Sequence, residues 1–392
     1  MDIQPNKQIS ISRRAMLFAL GLALSMILTA ACGGKEPAPE AASVVAMHRA
    51  DAARTGRYMT TGPTSYEATK WQFKAGDWVF GAPAIVGDTV YFAGYDGNAY
   101  AVDRETGAEK WRFESGDVII ASPAANDTHV FIANMSGLIV ALDSKTGEKR
   151  WEVEAGTGFS SSPAVVSDLV YFAGENGLLL ALDKNTGAEK WRFQQPETAI
   201  PFSPAVADGT VYVPVSSGIL YALDATTGKE QWQFDPGMGR SVFTPTADPV
   251  VADGVVYFMT TNSSLTGVLH AVDIATHQSN WQFPTPAENY SAPSITDGIL
   301  VWGSLDRNLY GVSAESGELL WTFPTEDIIF TAPAIAGETV YVGGADKNLY
   351  AIDIRTGTQQ WQFRAESGVS SPAVADGVIY VGTQDGVVYA LR

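Results

Sequence analysis

From residue 60 onward the chain is written in short runs of apolar and alternating positions, broken by Gly and Asp. The stretch after Gly81 shows the pattern. Ala82–Val86 is an apolar run entered through Pro83, Thr89–Tyr95 is β-branched and aromatic, and Ala99–Asp103 and Ala108–Phe113 alternate. The turn sequences "GD", "DGN" and "RETG" separate them. Runs of this length, rich in Val, Tyr and Phe and bounded by such turns, predict four strands joined by hairpins. No window beyond residue 60 carries a 3.6-residue apolar period, so no helix is predicted there.

The pattern then repeats. Trp71, Trp111, Trp151, Trp191, Trp232, Trp281, Trp321 and Trp361 follow one another at intervals of 40, 40, 40, 41, 49, 40 and 40 residues. A small residue or Thr followed by proline recurs in phase, at Pro83, Pro123, Pro163, Pro204, Pro245, Pro293, Pro333 and Pro372. Four antiparallel strands cannot bury both faces of their own sheet, whereas a ring of such sheets buries them against each other. The expected fold is all-β, an eight-bladed β-propeller of four-stranded antiparallel blades. The last unit ends at Arg392 after its third strand, and Tyr66–Phe73 is a strand with no unit before it. The N-terminal strand is therefore expected to complete the C-terminal blade, which removes two open edges.

Within each unit the segment D-x-x-T-G precedes the tryptophan by a few residues, as in "DRETGAEKW". The Asp side chain can cap backbone N–H groups of the turn, and Gly supplies the left-handed position. The tryptophan then falls on the outermost strand, where it can bury its ring against the next blade and donate its indole N–H. All eight tryptophans are read as structural rivets rather than catalytic groups. His277 replaces the glycine in blade five, and Ser313 and Ser316 replace Asp and Thr in blade six, so looser turns are expected there.

Repeats of the form "SPAVADGVIYVG…DG…YALD…TG…W.F" over residues 60–392 resemble the PQQ-like (quinoprotein-type) propeller family, and "ALDxxTGxxxW" is similar to its tryptophan-docking motif. The segment His48–Pro63 resembles the lead-in of such proteins. The resemblance implies a propeller frame, and in its enzyme members pyrroloquinoline quinone, an adjacent Cys–Cys disulfide and a calcium held by Glu, Asn and Asp. This chain has a single cysteine and almost no insertions. Neither that cofactor nor a metal is expected, because fold alone does not confer the site. His48, His129, His270 and His277 are scattered without metal-ligand spacing, and no G-x-S-x-G or P-loop sequence is present.

The N-terminus carries an address. "SRRAML" leads into an uncharged run from Ala15 to Ala31 that ends "LTAAC". A basic segment, a short apolar run and small residues before a cysteine predict a lipoprotein signal peptide over 1–31, exported by the general or the twin-arginine route. Residues 32–60 then hold a lipidated Cys32 and a tether with the lead-in, and 61–392 hold the propeller. A lipid-anchored protein outside the cytoplasm is expected, on the outer face of the cytoplasmic membrane or on an outer membrane where one exists. The formal charge is −18, and the first 32 residues contribute +2 of it, which leaves −20 for the rest. That argues against nucleic acid and against adhesion to anionic lipid other than through the anchor.

Hairpin geometry puts the "DG" and "TG" turns on one face and the more variable loops on the other. Variable loops on a rigid frame are where recognition resides. Trp78, Arg240, Phe243, Tyr290, Arg307 and Phe330 depart from the repeat or add aromatic anchors, and are the candidate partner contacts. Phe80, Phe159 and Phe202 fit packing between blades as well. The chain is expected to be a monomeric, non-catalytic scaffold for an envelope protein or peptide. The anchor and blade count are similar to propeller lipoproteins of outer-membrane protein assembly. A sugar or other small molecule in the central funnel, and a quinone-dependent redox reaction, are the alternative readings.

Overall fold

The computed structural model describes residues 46–196, 198–237, 244–262 and 264–392. The signal segment, Cys32, Arg240 and Phe243 lie outside the described residues.

After a two-residue strand β1 (Arg57–Tyr58) and a longer β2 (Thr69–Lys74), blade one is built from β3 (Ala84–Val86), β4 (Thr89–Ala93), β5 (Asn98–Asp103) and β6 (Glu109–Glu114), antiparallel in that order. Eight such sheets follow one another, and the innermost strands of successive blades touch around the ring, with β3 of blade one against Ala373–Ala375 of blade eight. Closure is by β2. It pairs antiparallel with Val387–Leu391, Thr69 opposite Leu391 and Lys74 opposite Val387, and so supplies the outer strand of the last blade. Second and third strands are buried on both faces, as in Thr89–Ala93, while outer strands alternate. The apolar residues form a succession of interblade clusters rather than one central core.

The repeated turn shows why it is written so often. Asp103 Oδ1 accepts from the N–H groups of Glu105 and Thr106 and from the Thr106 hydroxyl, at 2.9–3.1 Å. Gly107 takes φ 71°. The Trp71 ring of the preceding blade lies flat on that glycine, where a Cβ would stand 2.8 Å from Cδ2, and its indole N–H donates to Arg104 O at 2.8 Å. The same contact joins Trp111 to Gly147 and Ser144 O, and Trp191 to Gly228 and Ala225 O. Glycine thus serves twice, for its left-handed φ and as the floor under the next ring. Blade eight has no such turn, and Pro63 O of the lead-in receives the Trp361 indole instead, at 3.0 Å.

Two details differ from the sequence expectation, and a third, the looser turn of blade six, follows it. The blade-five turn is not looser: His277 holds φ 59°, Asp273 still caps Ala275 and Thr276, and the His277 N–H reaches Asp273 O at 2.8 Å. Trp232 cannot sit on a side-chain-bearing residue as it does on glycine, and it stacks on the His277 ring at 4.8 Å instead. In blade six the serine hydroxyl gives one cap bond, Ser316 N–H to Ser313 Oγ at 3.2 Å, in place of the carboxylate's set. Finally, the inner strand of blade five is Val250–Ala252, entered through Asp248 and Pro249, not through Pro245. Thr244–Pro245 is an extra strand edge paired with Thr260–Thr261, because the loop before this blade is longer.

Candidate functional site

The variable loops surround the mouth of a central channel. A cavity of about 280 Å³ opens there, with residues from all eight blades around it. Its wall is aromatic and aliphatic: Phe80, Ile120, Phe202, Tyr290 and Phe330 line it. Phe80 and Phe330 stack across the blade-seven to blade-one side with ring centroids 6.0 Å apart and planes at 4°. Trp78 lies edge-on to both, 5.2 Å from Phe80 and 6.4 Å from Phe330, and stacks on Tyr95. Its indole N–H is buried without a hydrogen-bond partner. Tyr290 is the most open of these rings, 46% exposed.

On the side of blades two to five the floor is polar and comes from the residues at the entry of the inner strands. The small residue before proline offers its backbone N–H toward the next blade, and the next serine accepts it. Ser122 N–H bonds Ser162 Oγ at 3.0 Å, Ser162 N–H bonds Ser203 Oγ at 2.9 Å, and Ser203 N–H bonds Asp248 Oδ1 at 2.7 Å. Asp248 stands where blades two, three, four and eight carry serine. Its other oxygen meets His48 Nε2 at 3.1 Å, and His48 Nδ1 meets Ser122 Oγ at 3.0 Å. The lead-in thus closes a ring of polar contacts across the channel.

Electrostatics fix the protonation states. Burial draws the His48 pKa down, and the Asp248 hydrogen bond and charge only partly oppose that, so the imidazole is neutral at pH 7. Burial raises the Asp248 pKa, but the hydrogen bond from His48 and the nearby Arg54 and Arg49 charges outweigh that and bring it down to about 2. An ionised Asp248 accepts only, so Nε2 carries the His48 proton and Nδ1 accepts from the Ser122 hydroxyl. Beneath them Arg54, fully buried, donates to the carbonyls of His48, Ser162, Pro163 and Pro204 at 2.8–3.1 Å.

A Ser–His–Asp line invites a catalytic comparison. Here Ser122 is 1% exposed, and Gly81 packs on it so closely that a Cβ would stand 2.7 Å from its nitrogen. The line bridges blades two and five through the lead-in. A quinone cofactor fits no better. A planar tricarboxylate would face the Asp248 carboxylate, while Arg54 is committed to backbone carbonyls below the floor. Among the described residues no group of three His, Cys, Asp or Glu side chains is placed to hold a metal.

Of the candidate contacts from sequence, Tyr290 and Phe330 line the cavity and Trp78 packs against Phe330. Arg307 sits outside the cavity, exposed on the blade-six turn with φ 68°, and makes no ion pair among the described residues. Phe159 is fully buried against Phe172. The sequence reading missed His48, Arg54 and Asp248. Asp248 carried a signal, since it stands at the Pro-entry position of an inner strand where serine recurs.

A closed ring of eight four-stranded blades, riveted by tryptophan on D-x-x-T-G turns, defines a PQQ-like repeat propeller. The family model described as outer membrane protein assembly factor BamB matches residues 64–117, 96–308 and 265–392, and the chain belongs to that family. Among solved structures it is similar to BamB from Moraxella catarrhalis, with 22% identity and a TM-score of 0.71 over 83% of this chain and 99% of that one. It is also similar to the computationally designed Ika8 protein, with 19% identity and a TM-score of 0.71 over 84% of this chain and 99% of that one. A third is the quinohemoprotein alcohol dehydrogenase from Comamonas testosteroni, with 16% identity and a TM-score of 0.74 over 88% and 80%. At these identities the likeness is one of fold. No curated protein sequence matches the chain.

Proposed function

We propose that the protein is a non-catalytic, lipid-anchored scaffold outside the cytoplasm that binds a protein or peptide partner through the funnel face, in the setting of envelope protein assembly. The observation that carries this reading is the aromatic wall of the funnel. Trp78, Phe80, Phe330 and Tyr290 present ring faces and edges at the mouth of a rigid ring, where aromatic anchors concentrate binding energy. The rim around them is acidic, with Asp77, Glu326, Asp327 and Glu366 exposed, which favours a segment carrying Lys or Arg beside its apolar contact. Membership of the BamB family supports the same setting.

The test is a Trp78→Ser, Tyr290→Ser double variant purified from its own envelope beside the wild type. Loss of two anchors should reduce the co-purifying partner about tenfold or more, with a stability loss of no more than about 1–2 kcal/mol from the part-buried Trp78 ring. Undiminished recovery would remove the funnel from the interface. A second reading, a small polar ligand, is favoured by the His48–Asp248 floor beneath an apolar wall. A bound low-mass species in native mass spectra, displaced in the same variant, would select it.

A further inference from the structure

One position of the repeat lines the funnel floor, the residue before the proline of the inner strand. Blades two, three, four and eight place serine there, blades six and seven Ala292 and Ala332, and blade five Asp248. Serine is enough for the joint between blades: Ser371 Oγ accepts the Ala332 N–H at 3.0 Å, as Ser162 and Ser203 accept theirs. Asp248 therefore brings a charge that this joint does not require. Among the described residues it is the one ionised side chain lining the cavity, since His48 is neutral at pH 7. Two donors reach its oxygens there, the Ser203 N–H and His48 Nε2. An ionised carboxyl group has about four acceptor sites, so about two are left unused. The arginines do not take them. Arg49 and Arg54 are 2% and 0% exposed, do not line the cavity, and make no hydrogen bond to Asp248 among the described residues. Their two charges are balanced by Asp51 and Asp248, so the sign of the mouth is set by its rim. There the exposed acids Asp77, Glu326, Asp327 and Glu366 outnumber the exposed cations Arg307 and Lys347 of the neighbouring hairpin turns.

We propose that the funnel takes an ammonium group on an apolar stem, a lysine side chain of the partner, whose stem lies along the aromatic wall and whose head docks on Asp248. The inference rests on the reading of the funnel as the binding face and names what enters it. The cavity is divided as such a side chain is. Phe80, Tyr290 and Phe330 come from the loops that enter blades one, six and seven, and the polar floor lies on the side of blades two to five. Lysine buries its stem along apolar surface and keeps only its head polar. Aromatic rings attract that head as it passes. The head carries three donors and no acceptor. The floor answers with acceptors, the unused sites of Asp248 and the second lone pairs of Ser162 Oγ and Ser203 Oγ. Burying an ion pair is favourable only where such hydrogen bonds complete it. An acidic side chain would meet the Asp248 charge with no cation lining the cavity, and an apolar one would cover a carboxylate with acceptors unfilled. A free alkylamine offers the same chemistry and is its other source.

The experiment titrates the full chain, purified from its envelope in detergent, with Nα-acetyl-lysine methylamide and with its norleucine counterpart, which has the same stem without the ammonium. Ligand-observed nuclear magnetic resonance reads both affinities. The lysine probe should bind about tenfold or more tighter. That preference should fall to about twofold or less in Asp248→Asn, which keeps an acceptor for the Ser203 N–H. Tyr290→Ser should weaken both probes. Equal affinities on the wild type would overturn the ammonium site and leave the funnel standing as an apolar one. Binding of neither probe, or a lysine preference that survives Asp248→Asn, would overturn it as well, and co-purification of the partner with the wild type reads the role of the funnel separately. If Asp248→Asn does not fold, the two probes on the wild type still decide. Native mass spectra of the purified chain separate the sources: a bound protein supports the lysine side chain, and a low-mass amine in its place would overturn that assignment.

Discussion

Replacing Trp111 by Ala should cost far more stability than replacing Trp232, although both occupy the same place in the repeat. Trp111 is 8% exposed, lies on Gly147 and donates to Ser144 O at 3.0 Å. Removing such a ring from a packed joint costs about 3–5 kcal/mol. The lost hydrogen bond adds little, because Ser144 O still accepts from the Tyr91 hydroxyl at 3.0 Å. Trp232 is only partly buried and rests on the His277 imidazole. With part of its area already in water, its removal should cost about 1–2 kcal/mol. The gap of about 2–3 kcal/mol corresponds to roughly a hundredfold in the unfolding equilibrium. Urea titration of both variants beside wild type, followed by far-ultraviolet circular dichroism, reads it directly. Equal losses would refute the reasoning that the ring-on-glycine joint is what makes the tryptophan valuable.

Two further outcomes follow from the same geometry. Gly147→Ala places a methyl 2.7 Å from the Trp111 ring, whereas Gly116→Ala, also at positive φ, meets nothing within 4 Å. The first should destabilise by about 3 kcal/mol and the second by about 1, and similar melting shifts would remove glycine's second role. His270 is buried with its Nε2 2.8 Å from Thr260 Oγ1, and burial draws its pKa down to about 4. A folded pKa below the unfolded value of 6.5 means the unfolded chain binds the proton first. The His270 contribution is therefore complete above pH 6.5 and is lost as pH falls toward 4, by roughly 3 kcal/mol at most. His270→Phe should flatten that part of the pH–stability curve, and an unchanged slope between pH 6.5 and 4 would contradict it.

The ring was legible because its code is local and repeated. Hairpin turns, the alternation of Val and Tyr, and Trp after D-x-x-T-G specify each blade within 40 residues, so two phased markers sufficed for the blade count and for β2 as the closing strand. What was not legible is written once. His48 and Asp248 are 200 positions apart and meet only because the lead-in threads the channel. In blade five a longer loop holds two proline steps, and only the packed ring shows that Pro249 rather than Pro245 enters the inner strand. Phe159 and Tyr290 sit at similar distances from a proline, yet one is buried and the other open. Alternation alone does not separate a blade's packing face from the channel wall. Tests of the funnel therefore belong to Tyr290 and Trp78, not to every aromatic in the loops.

The central claim is that the funnel face receives a protein. Its most direct test is a photo-crosslinking residue placed at Tyr290, with a second at Lys145 on the opposite face, in intact cells. The account predicts a discrete protein adduct from position 290, absent from position 145 and lost when Trp78→Ser is added. Adducts from position 145 alone, or the same adduct from both faces, would contradict it.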